Sequence, residues 1–217
     1  MPLLTLSHGS RHADSRADAV SLTAASARLL GTVGIPAFLD FDEVTLARAA
    51  AQLRADGHTH ATVVPLLFTD AYHHRHDVPE AVEQARQDTG LDITVAPHLG
   101  TGADIAQLLI DAAPRDRELI IYSVGSSDPQ ANAAVADLAS RVGEAVGAPC
   151  TSVLATVGGP AEVAAHPGAH VLALTVSSGL LRDALVAELA GSGITVDAPL
   201  GLALAGVVAD RYRAATP

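Results

Sequence analysis

The chain has 217 residues, 49% of them hydrophobic, and a formal net charge of −11. That is long and apolar enough to bury one large core or two small ones and excludes disorder, while the acidic balance argues against nucleic acid or an anionic membrane surface as partner. All 13 basic residues are arginines and Cys150 stands alone, which excludes a P-loop or Schiff-base lysine, an intrachain disulfide and a cysteine-rich metal site.

The N-terminus lacks a basic segment followed by a long apolar stretch, and no run of about 18 apolar residues occurs. Neither a signal peptide nor a membrane span is expected, and the reducing cytoplasm fits the cysteine usage. In chain order, short apolar runs at Leu3 to Leu6, Ala37 to Phe41, Thr62 to Phe68 and Ile93 to Ala96 read as strands. Helical periodicity links them over Ala13 to Leu30, Val44 to Ala55 and Val78 to Gln87, with Pro79 in a first turn that tolerates it, and a helix from Gly102 to Ala112 closes the series. Alternating strands and helices predict an α/β fold with parallel sheets.

The polar, proline-marked stretch Ala112 to Arg117 reads as a linker, dividing residues 1–113 from 118–217. After it the pattern restarts. Strands are expected near Leu119 to Ser123, Ser152 to Thr156, Val171 to Val176 and Ile194 to Val196, and helices near Gln130 to Val146, Leu180 to Ala190 and Leu202 to Tyr212. Three echoes recur in the same order in both halves. Leu4-Thr5-Leu6-Ser7-His8-Gly9-Ser10-Arg11 returns as Ile121-Tyr122-Ser123-Val124-Gly125-Ser126-Ser127, Val64-Pro65-Leu66-Leu67 as Leu172-Ala173-Leu174-Thr175, and the stretch Ile93 to Gly100 as Ile194 to Gly201. The expectation is an internal duplication giving two similar flavodoxin-like domains with a ligand cleft between them.

Eight of the ten histidines lie at or before position 98, and the echoes set His8 against Val124 and His73 against Leu181. Ligands of open parallel sheets bind beyond the carboxyl ends of the strands, where His8, Glu43 and His73 follow the first three strands. Singly, such a histidine is as a rule a capping residue and such a glutamate a solvated helix start. Jointly, two imidazoles and a carboxylate suit a divalent first-row metal with an open coordination position. His74 and His76 read as supporting or solvated residues, and His12, His58 and His60 as surface. Gly9 and Ser10 allow a tight turn, while Arg11 and Arg75 are placed to pair with substrate carboxylates.

Leu6-Ser7-His8-Gly9-Ser10-Arg11, Glu43, Val64-Pro65-Leu66-Leu67, Ala71-Tyr72-His73, Arg75 and Asp77-Val78-Pro79 together resemble the sirohydrochlorin chelatases, the ATP-independent class II tetrapyrrole chelatases. Val124 to Pro129 and Ser178 to Leu181 resemble the degenerate second half of the long members, so the likeness covers nearly the whole chain. It implies a lyase, a ferrochelatase or cobaltochelatase inserting Fe²⁺, Co²⁺ or Ni²⁺ into sirohydrochlorin with release of two protons, in sirohaem or cobalamin biosynthesis. It also implies His8, His73 and Glu43 as catalytic and metal-handling residues, Ser10, Arg11 and Arg75 as substrate-binding, no permanently bound cofactor, and a monomer or homodimer. The alternatives are a histidine-based metal carrier without catalysis and a flavodoxin-like phosphate-binding module, the latter disfavoured by 3% aromatic content with no tryptophan.

Overall fold

A computed structural model describes residues 1–69 and 76–216. Its first strand, β1 (Leu3–Ser7), is buried on both faces, with Leu3, Leu4 and Leu6 fully inaccessible. Continuous apolar burial of this kind is what a parallel sheet covered by helices on both sides requires. β1 pairs in parallel with β2 (Gly34–Phe38) and β3 (His60–Pro65), and β3 with β4 (Asp92–Val95), giving the order β2-β1-β3-β4. The second sheet repeats it as β6-β5-β7-β8, built from β5 (Leu119–Ser123), β6 (Cys150–Leu154), β7 (His170–Ala173) and β8 (Thr195–Val196). Two parallel α/β sheets of four strands with one strand order bear out the expected fold class.

Helices α1 (Ser15–Leu30), α2 (Leu46–Ala55) and α3 (Val78–Thr89) cover the first sheet. α1 buries Ser15, Ala19, Leu22, Thr23, Ser26 and Ala27, a helical stripe of small residues that lets the strands approach closely. Gly34 uses that closeness, since a Cβ there would lie 2.8 Å from that of Ala27. On the opposite face, Leu4, Leu6, Leu46, Leu53, Val63, Val82 and Ile93 form one apolar cluster. Truncating any of these leucines to alanine costs about 2–5 kcal/mol through lost transfer energy and the cavity left behind.

Tertiary packing divides the chain into two units, Met1–Gly100 with the segment from Gly201 onward, and Thr101–Leu200. Two helices therefore fall on the other side of the boundary read from sequence. Helix α4 (Ala103–Ala112) packs on α5 (Pro129–Val146) in the second unit, where Arg141 donates to the Thr101 carbonyl. The last helix, α8 (Ala205–Ala215), packs on α1 and β3 in the first, where Tyr212 Oη donates to the Met1 carbonyl and Arg211 to those of His98 and Leu99. Helical periodicity gives the apolar face of a segment, whereas the sheet it covers is a tertiary choice.

Two further differences bear on the site. β2 ends at Phe38, so the expected strand through Phe41 begins and ends three residues too late. Pro36 lacks an N–H, which an edge strand tolerates, and the chain leaves the sheet before Asp40. The short helix α6 (Gly159–Ala164) was not expected, its six residues being too few to carry a helical period. The remaining helix, α7 (Leu180–Glu188), begins where expected. No helix among the described residues is long and apolar enough to cross a membrane.

Candidate functional site

His8 follows β1 directly, half-buried at the carboxyl edge of the first sheet. Its carbonyl accepts the Asp40 N–H at 2.8 Å, and the Ser7 carbonyl accepts that of Leu39 at 2.9 Å, so the strand pairing of β1 runs on into the loop after β2. Gly9 makes this possible. Its φ of 97° belongs to the left-handed region, and a Cβ would sit 1.9 Å from the Asp40 carbonyl oxygen. Ser10 Oγ accepts the His12 N–H at 3.1 Å, and His12 Nδ1 accepts the Asp14 N–H at 3.1 Å, a side-chain turn that leads into α1.

A cavity of about 580 Å³ opens beside His8, between the loop after β2 and helices α2 and α3. Asp40, Asp77, Glu80 and Asp88 line it with His8 over an apolar floor of Phe38, Leu39 and Leu46. Its four carboxylates give the concavity a negative potential, but Asp77 and Asp88 stand about 16 Å apart along α3, so the charges are spread along the lining and not gathered at the imidazole. The side chain of Glu43 is elsewhere. It is 73% exposed, its Oε2 accepts a hydrogen bond from Arg48 at 3.2 Å, and it is not among the described residues lining the cavity. The structure thus brings Asp40, and not Glu43, beside His8, because the chain turns out of β2 earlier than the apolar run suggests.

Arg11 is exposed and its guanidinium carbon lies 4.9 Å from the centroid of the Phe41 ring. The His8 ring stacks on Phe41, with centroids 6.1 Å apart and planes inclined by 27°. His73, His74 and Arg75 lie outside the described residues; His76 is exposed. Among the described residues no group of three histidine, cysteine or acidic side chains could hold a metal ion. Sequence reading missed Asp40 and Phe41, and the one signal for Asp40 was its being an acidic residue at a strand end, which the overlong strand concealed.

The second unit has no such set at the equivalent edge. Val124 follows β5 with 48% of its surface exposed, and Val157 follows β6. Its two histidines are paired with carboxylates, His166 with Glu118 at 2.8 Å and His170 with Asp197 at 2.9 Å. Burial pushes the Cys150 thiol up to about 11, so it stays protonated near neutral pH and is a poor metal ligand there.

The family model CbiX matches residues 2–115. The chain belongs to the CbiX family. The sirohydrochlorin ferrochelatase of Bacillus subtilis is 26% identical to this CbiX-family chain over 152 residues, which cover 66% of the chain and 58% of that protein. The sirohydrochlorin cobaltochelatase of Sulfurisphaera tokodaii is 32% identical over 72 residues, 33% of the chain and 58% of that protein. The matched region thus spans 58% of the length of each of these curated relatives. The sirohydrochlorin chelatase SirB from Bacillus subtilis subspecies spizizenii, solved in complex with cobalt, superposes with a TM-score of 0.83 over 98% of this chain and 93% of its own at 19% identity, a shared fold.

Proposed function

We propose that this CbiX-family chain is a lyase that inserts Fe²⁺ or Co²⁺ into sirohydrochlorin, as its curated relatives are named to do. The observation that carries the reading is His8 at the sheet edge, bordering a carboxylate-lined cavity and standing three residues before Arg11. Insertion exchanges one divalent ion for the two protons of the pyrrole N–H groups, so the site must hold a cation and accept protons. A neutral imidazole does either. The carboxylates beside His8 would draw the substrate metal toward the edge, and His73 would act with His8 as second ligand or base.

Asp40 takes the carboxylate role in this reading, since Glu43 is neutralised by Arg48 at the surface. Arg11, Arg75 and Ser10 would engage the acetate and propionate groups of the macrocycle. Their local charge has to outweigh a net charge of −11, which repels a polyanion at longer range. With no lysine in the chain, a phosphate loop of the Walker type is absent and the reaction is expected to proceed without ATP. Nickel insertion is expected to be measurable as well, because imidazole and carboxylate accept all three metals.

The test is the visible spectrum of sirohydrochlorin incubated anaerobically with Fe²⁺, Co²⁺ or Ni²⁺ and the parent protein, His8→Ala or His73→Ala. Loss of a base or ligand at either position is expected to lower the initial rate about 10²–10⁴-fold. Parental rates in both variants would overturn the reading. Tight retention of Co²⁺ with no change in the tetrapyrrole spectrum would favour a metal carrier instead.

A further inference from the structure

Among the described non-glycine residues, Phe41 alone has a positive φ, 59°. A bulky side chain in left-handed backbone is disfavoured, and such conformations persist where surrounding bonds impose them. They do so here. The Phe41 N–H donates to Asp40 Oδ1 at 2.8 Å, and the Asp40 N–H to the His8 carbonyl at 2.8 Å. Beyond Phe41, Asp42 Oδ1 accepts the Val44 N–H at 2.8 Å and an Arg16 bond at 3.2 Å from α1.

The turn so anchored does not deliver the ring to the core. Phe41 remains 46% exposed, and what it meets is the His8 imidazole on one hand and the Arg11 guanidinium on the other. An uncharged ring thereby joins the residue proposed to handle metal and protons to one proposed to anchor carboxylates. The second unit repeats the strand-end hydrogen bonds to Ser123 and Val124 but then turns differently, the N–H of Val157, 76% exposed and in the position of Phe41, donating to the Leu154 carbonyl. The ring occurs in the half that has the histidine.

We infer that Phe41 is a positioning residue of this site: stacking fixes the plane of the His8 imidazole, and a cation–π contact keeps the Arg11 guanidinium over the same edge, so that base and anchor meet a planar tetrapyrrole as one unit. The inference rests on the chelatase reading above. Holding the guanidinium in place lowers the ordering cost of binding the substrate's carboxylates, an effect on KM, whereas orienting the imidazole acts on kcat.

The experiment is steady-state Co²⁺ insertion by the parent, Phe41→Leu, Phe41→Tyr, Phe41→Gly, Arg11→Ala and the Arg11→Ala/Phe41→Leu double variant, with Tm measured for each. Phe41→Leu is expected to raise KM for sirohydrochlorin about fivefold and lower kcat about threefold, magnitudes set by one cation–π and one ring-stacking contact. Phe41→Tyr, which keeps the ring, recovers most of both. Phe41→Gly suits the backbone and holds Tm within about 3 °C of the parent while showing the kinetic losses of Phe41→Leu, a dissociation that a merely structural residue would not give. In the Arg11→Ala background, Phe41→Leu no longer raises KM but still lowers kcat. Unchanged kinetics in Phe41→Leu, or KM effects that simply multiply in the double variant, would overturn the inference in an active protein. A parent that inserts no metal overturns the chelatase reading, and this inference with it.

Discussion

After β1, Leu39 and Asp40 donate N–H bonds to the carbonyls of Ser7 and His8 at 2.9 and 2.8 Å; after β5, Ala155 and Thr156 donate to Ser123 and Val124 at 2.9 and 3.1 Å. Gly9 and Gly125 have φ of 97° and 88°, and Leu66 and Leu174 close the third strand ends onto Leu6 and Tyr122 at 2.8 and 2.9 Å. Beyond Asp40 and Thr156 the two edges part, the Phe41 N–H donating to Asp40 Oδ1 at positive φ and the Val157 N–H to the Leu154 carbonyl, but up to there the two backbones are the same. Their side chains are not: His8, Asp40 and Phe41 in the first unit answer to Val124, Thr156 and Val157 in the second. Because the fold accepts valine at the position of His8 on the same local backbone, the imidazole needs a reason outside folding, whereas the Asp40 carboxylate also holds the Phe41 turn. The glycines, present in both, belong to the fold.

Activity separates the two edges most widely. Asp40→Asn is expected to slow metal insertion about 10–100-fold, the usual range for a polar partner of a metal-handling group, whereas Thr156→Ala stays within about twofold of the parent. Glu43→Gln, removing a carboxylate already engaged by Arg48 at the surface, stays within about threefold. A larger loss in Glu43→Gln than in Asp40→Asn would return the role to Glu43.

Stability separates the two glycines more finely. At Gly9 an added Cβ meets a backbone oxygen at 1.9 Å, while at Gly125 its first neighbour is the Thr156 hydroxyl at 2.6 Å, a side chain that can rotate away. Gly9→Ala should therefore cost about 3 kcal/mol in urea unfolding and Gly125→Ala about 1–2 kcal/mol, the latter chiefly from its left-handed backbone. Equal losses would mean that the Asp40 turn yields as readily as the Thr156 side chain.

Much of this was legible in sequence because it is local. Apolar runs gave the strands, the histidine count separated the halves, and His8 was found by its own echo at Val124. Three things were not legible, each for a physical reason. The apolar run Ala37 to Phe41 contains no breaker at Leu39, so the exit of the chain from β2, and with it the turn holding Asp40 and Phe41, depends on hydrogen bonds from residues more than 30 positions away. The positive φ of Phe41 follows from that turn and has no glycine to announce it. The packing of α4 and α8 in the unit of the other sequence half is a long-range choice that local periodicity does not encode.

If the strand-end backbone shared by the two units carries chemistry at the first edge only, exchanging His8 and Val124 separates the edges. The initial rate of Co²⁺ insertion into sirohydrochlorin is measured for His8→Val, Val124→His and the double exchange His8→Val/Val124→His. Val124→His is expected to keep parental activity and both His8→Val proteins to lose about 10²–10⁴-fold, whether or not residue 124 is histidine. Recovery of activity in the double exchange would contradict this, since an imidazole would then serve equally at either edge.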